Sequence, residues 1–236
     1  MNRAIVAATL RQRFTSPMRV ALLLFFSLPP LLGALFMPAA GLSLLGDSYG
    51  VALVFAAGMI GQDVSSGTLQ LLLARPVRRS EYVLSRGLAA VLGTLAVVWT
   101  QIAIAVLLLA ARGATPATRD VLALAGGDAL LAIGMAAVMA LLSSLVPGLA
   151  DLGLLLITNV TASALGAFAQ FKHWEALARG AQEIGRFLKP EVSLAPLLLG
   201  GAVSWFEVVS WLSTVTLCLA LAIVVTNRRE LSYASS

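Results

Sequence analysis

Charged side chains are scarce in this sequence. Asp, Glu, Lys and Arg together make up 11% of its 236 residues, while 59% are hydrophobic; soluble domains carry about a quarter charged residues. The shortfall excludes an ordinary soluble fold, because the apolar residues fall into long blocks and do not alternate with charges. Cysteine is scarce as well. The single Cys218 lies in an apolar run without an intramolecular disulfide partner, so it reads as a small packing residue. The single His173 has no second His or Cys to complete a metal site and reads as an interfacial loop residue. No phosphate loop of the G-x-x-x-x-G-K-S/T type occurs, so the chain supplies no nucleotide hydrolysis of its own. It also lacks an aromatic-interleaved basic patch, so the net charge of +5 does not point to nucleic acid. No small-residue cleavage site follows the N-terminal arginines before further apolar blocks begin, which argues against a cleaved signal.

What is present is a series of apolar blocks. A membrane span needs about 20 such residues to cross a hydrocarbon core of about 30 Å. Six candidates follow: 18–37, 44–61, 88–111, 121–146, 149–168 and 208–226. Pro29 and Pro30 are expected to kink the first. The second is short and glycine-rich. The expectation is an all-α membrane protein with six transmembrane helices in one domain, 18–236, preceded by a surface helix in 1–17. The arginines and lysines set its orientation. With the N-terminus inside, ten basic residues fall on the cytoplasmic side (Arg3, Arg11, Arg13, Arg19, Arg75, Arg78, Arg79, Arg86, Arg228, Arg229) and six outside, four of them in one long loop. Both termini are therefore expected in the cytoplasm.

Residues 2–15 read as a basic amphipathic helix along the anionic inner leaflet. In the outer loop 171–206, residues 174–188 place Trp174, Leu177, Ala181, Ile184 and Leu188 at helical spacing, a second amphipathic helix that Pro190 ends. Pro196 and Leu197–Leu199 suggest a further outer piece, and Trp174, Trp205 and Trp211 serve as interface anchors.

The most informative stretch is the loop 63–86. Asp63 leaves the second span, Ser65-Ser66-Gly67-Thr68 makes a turn, and Leu69 to Ala74 form a short apolar helix that Pro76 stops. Ser80 is expected to cap the next helix, with Glu81 favourable in its first turn. A short apolar helix flanked by arginines and fixed by Gly and Pro suits docking into a partner's groove. The plain alternative is a polar connection between two spans.

This pattern resembles the permease subunit of type-2 ABC transporters. The matching residues are Asp63, Gly67, Thr68, Leu69, Leu72, Leu73, Arg75, Pro76, Val77, Arg79 and Tyr82. The family often carries Glu at the acidic position, where this chain has Asp63 on a shorter side chain. The resemblance implies that 1–17 is the elbow helix and that 63–86 holds the coupling helix. It implies a pair of permease copies, most simply a homodimer, with two cytoplasmic ATP-binding subunits that hold ATP and Mg, no cofactor in this chain, and a place in a bacterial inner membrane. It allows a periplasmic accessory partner, and either export or mechanical work on that partner.

Other polar residues lie within the apolar blocks, where charge is expensive and suggests function. Asp128 either lines a substrate path or snorkels to the outer interface. Gln101 suits an interhelical hydrogen bond. Thr158, Asn159 and Thr161 suggest a pathway or dimer interface. Gly46-Asp47-Ser48-Tyr49-Gly50 has the G-x-S-x-G spacing of a hydrolase elbow, but the strand and histidine base that the motif needs are missing. An intramembrane hydrolase using Ser48, or an assembly factor without transport, remains the alternative to a permease.

Overall fold

A computed structural model of the chain describes residues 2–37, 42–43, 45, 48–68, 78–194, 196 and 204–228. Among these there are nine helices and no strand: α1 (Arg3–Thr15), α2 (Pro17–Phe36), α3 (Tyr49–Ala56), α4 (Gly61–Ser65), α5 (Arg79–Ala111), α6 (Thr118–Leu145), α7 (Ala150–Phe171), α8 (Glu175–Leu188) and α9 (Trp205–Arg228).

Five helices, α2, α5, α6, α7 and α9, are long and apolar enough to cross a membrane. They match five of the six expected spans to within three residues, except that α5 starts earlier. Its helix begins at Arg79, so Ser80 lies inside it and is not the expected cap, and the N-cap position falls on Arg78. At 33 residues and a rise of 1.5 Å per residue, α5 is about 50 Å long, well beyond a core of about 30 Å. Its first two turns are nonetheless enclosed, with Tyr82, Val83, Ser85 and Arg86 all buried. The second expected span is different. It is a broken element, α3 then α4, whose longer piece has only eight residues.

Helix α6 is central. In its most apolar window 44% of residues are buried, against 11% for α2. Its sequence is apolar all round, as a helix enclosed by others requires. It packs against α3, α5, α7 and α9. Phe55, Met59, Ile60, Tyr82, Met135, Met139 and Leu155 fill the main core between them. Helices α2, α7 and α9 show apolar side chains outward, such as Phe25, Ile157 and Leu217. Water would not tolerate such a surface, but lipid does. Pro29 and Pro30 sit within α2, which continues through them.

The amphipathic helix expected over 174–188 is present as α8 and packs against α7. The two are joined by a tight C-cap. His173 takes a left-handed conformation with φ 55°, its N–H donates to Gln170, and the Trp174 N–H donates to Ala169. Phe168 meets Trp174 edge-on. This is a Schellman cap with its apolar contact, and it gives His173 a structural place.

One end of the bundle gathers α1, the start of α5 and the end of α9. The Asn2 N–H donates to Ser85 Oγ at 3.0 Å. Arg79 donates to the carbonyls of Thr226 and Asn227 at 3.0 and 2.7 Å, capping the last turn of α9.

Candidate functional site

At that end the broken element is held by polar side chains from three helices. Helix α3 stops because Ala57 turns extended (ψ 129°) and Gly58 adopts φ +64°, a region that side chains with a Cβ rarely enter. A break inside a bundle strands backbone groups, and each unsatisfied group costs several kcal/mol in lipid. Here they are paired from outside the element. Arg13 Nη1 donates to the Ala57 carbonyl at 2.7 Å. The Gly58 N–H donates to Asp151 Oδ2 at 2.7 Å. The Ile60 and Gly61 N–H groups both donate to Ser143 Oγ, at 3.1 and 2.8 Å. The Gly148 N–H donates to the Gly61 carbonyl at 2.7 Å. The Pro147-Gly148 corner between α6 and α7 thus lies directly against Gly61. A Cβ on Gly61 would sit 2.6 Å from the Gly148 oxygen and 2.8 Å from that of Val146, so only glycine fits.

Arg13 and Asp151 are almost wholly buried. Burial, with Arg19 and Arg86 close by, pushes the Arg13 guanidinium down to about 9, while Asp63 and Asp151 pull it back. It remains a cation at neutral pH. Hydrogen bonds to charged groups contribute about 1.5–3 kcal/mol each, so the clamp is firm. Helix α1 turns a mixed face into the bundle. Its inward residues, Ile5, Thr9 and Arg13, recur every four positions, and two of the three are polar.

Two residues on from Gly61, α4 carries Asp63. Its Oδ2 accepts from Tyr82 OH at 2.5 Å and from Arg86 in a buried ion pair. Arg86 also donates to Thr9 Oγ1 at 2.9 Å, and its guanidinium lies 5.6 Å from the Tyr82 ring centre. Gln62 Oε1 accepts from Arg19 Nη2 at 2.7 Å. The shorter side chain of Asp63 thus reaches its cation. A cavity of about 590 Å³ between α1 and the 62–68 segment is lined by Thr9, Gln12, Asp63, Ser66, Thr68 and Arg86 among others.

Of the residues expected to couple to a partner, Asp63, Gly67 and Thr68 lie together here. Gly67 has φ +71°, and Ser66 Oγ and Thr68 Oγ1 are 2.8 Å apart, so the expected turn is present. Arg79, also expected to couple to a partner, donates to the last carbonyls of α9. Leu69, Leu72, Leu73, Arg75 and Pro76 lie outside the described residues.

The other polar residues lie apart from this end. Gln101 donates to Ser27 Oγ, the expected interhelical bond. Asp128 is buried and accepts from Ser48 Oγ at 2.7 Å. It also lines a cavity of about 1190 Å³ between α6, α9 and the end of α8. Ser48 is 5% exposed and points its hydroxyl at that carboxylate. Thr158 bonds back to the Leu154 carbonyl, Asn159 is half-buried and Thr161 exposed. These three line neither cavity described here. Among the described residues no three His, Cys, Asp or Glu side chains converge to hold a metal ion.

Arg13, Ser143 and Asp151 escape the sequence reading. Asp151 was open to detection, since a carboxylate beside a Pro-Gly break in an apolar block has to find a donor. Nothing local marks Arg13 or Ser143. Comparison with known protein families finds no family model that matches this chain, and comparison with curated proteins finds no match.

Proposed function

We propose that this chain is the membrane-spanning permease subunit of an ATP-binding-cassette transporter. On this reading the broken element is the second of six crossings, both termini face the cytoplasm of a bacterium, and α1 is the elbow helix. Two copies of the chain pair, and two cytoplasmic ATP-binding subunits dock on the segment after Asp63. The chain performs no catalysis. It converts closure of its partners into motion of its helices.

The observation that supports this best is the bracing of Asp63. The segment resembling a coupling motif leaves the bundle from a buried carboxylate tied to α5 through Tyr82 and Arg86, and through Arg86 to Thr9 of α1. A push on the loop that follows is therefore delivered to two helices at once. A loose polar connection would need no such root. The apolar interior suits a lipid-like or amphipathic cargo, and equally suits mechanical work on a periplasmic accessory protein.

The test is to purify the tagged full chain from its native membrane in mild detergent and measure Mg-ATP hydrolysis. The expected result is hydrolysis that co-purifies with the chain and is lost with Leu72→Asp while the chain remains folded. A well-folded chain that carries no ATP-hydrolysing partner overturns the proposal.

A further inference from the structure

We infer that the Ala57–Gly61 break is a hinge and that Arg13 is its positioning residue, so that α4 swings as a short lever about the break while α3 stays fixed. The mechanical consequence rests on the coupling reading above, but the hinge itself does not.

Three observations carry it. First, the two sides of the break are packed very differently. In α3, Val51, Ala52, Val54, Phe55 and Ala56 are all buried, whereas in α4 only Gly61 and Asp63 are. Apolar burial anchors α3, and polar contacts anchor α4. Second, the break has no continuous helical hydrogen-bond ladder. Its backbone is held by side chains of α1, α6 and α7 and by the Gly148 N–H, so bending it exchanges a few bonds from outside the element and leaves the α3 ladder intact. Third, Arg13 and Thr9 lie one turn apart on the inward face of α1. Arg13 grips the break through the Ala57 carbonyl, and Thr9 grips α4 through Arg86 and Asp63. Helix α1 therefore contacts both the pivot, directly, and the arm, through Arg86 of α5. A positively charged donor suits the pivot, because it holds a carbonyl that the missing helical turn would otherwise satisfy.

Hydrogen exchange of the full chain in lipid nanodiscs tests this without any partner protein. The peptides to compare cover 49–56 and 58–66. Arg13→Gln is expected to speed exchange of 58–66 by about tenfold, the factor for roughly 1.4 kcal/mol of local opening, with 49–56 unchanged. Arg13→Lys keeps a cationic donor and is expected to restore protection. Ser143→Ala, a milder change that removes the acceptor of Ile60 and Gly61, is expected to act on 58–66 alone. Equal acceleration of both peptides in Ser143→Ala, or none in either variant, overturns the hinge. Failure to bind an ATPase would leave these rates untouched and would count against the coupling reading instead.

Discussion

Breaking the Asp63–Arg86 pair tests whether the root of the loop is as firm as its geometry implies. Both side chains are buried, at 5% and 6% exposure. Removing one partner of a buried pair leaves an uncompensated charge and costs about 3–5 kcal/mol. The two single variants differ in what remains. After Asp63→Asn, Arg86 keeps the Thr9 hydroxyl at 2.9 Å and the Tyr82 ring, a cation–π contact worth about 0.5–2 kcal/mol, so the cost is expected near 3 kcal/mol. After Arg86→Met, Asp63 keeps only the Tyr82 hydroxyl from this network, and the cost is expected nearer 5 kcal/mol. The double variant buries no unpaired charge, so it is expected to cost less than the two singles together by about 2–3 kcal/mol. Cys218 gives the assay. It is the only cysteine and is fully buried against Ala137, Val138 and Val215, so a thiol-reactive fluorophore labels it only as the bundle opens. Its labelling across an SDS titration reads the three stabilities. Additive effects, or singles below about 1 kcal/mol, would refute the bracing.

Gly61→Ala is expected to cost about 3 kcal/mol, the upper end for overpacking, because the atoms in its way belong to the backbone. Gly87→Ala is its control. Gly87 lies inside α5 with nothing near its missing Cβ, so the variant is expected to gain about 0.5–1 kcal/mol of helix propensity. The same thiol assay reads both. Gln101→Leu removes the bond to Ser27 and is expected to cost about 0.6 kcal/mol in that assay.

The long helices were legible because their signal is local. The fifth block, 149–168, becomes α7, Ala150–Phe171, and 174–188 becomes α8, Glu175–Leu188. Apolar length and 3.6-residue periodicity are enough for that. The break at 57–61 was not legible, since Ala-Gly-Met-Ile-Gly continues an apolar run. Its partners stand 44, 93 and 83 residues away, at Arg13, Asp151 and Ser143. For the same reason the inward contacts of α1 were not legible in its own sequence. Its buried arginine makes sense only once the Ala57 carbonyl is beside it. Asp63 was singled out by its place in a motif, but the reach of its side chain depended on where α5 put Arg86.

The coupling function requires the segment rooted at Asp63 to face the cytoplasm. Ser66 is exposed in the turn that follows, and Ser66→Cys in a Cys218→Ser background places one reactive thiol there. A membrane-impermeant maleimide added to intact cells is expected to leave this thiol unlabelled and to label it fully once the membrane is permeabilised. Full labelling in intact cells would put the segment on the outer face and contradict the coupling function.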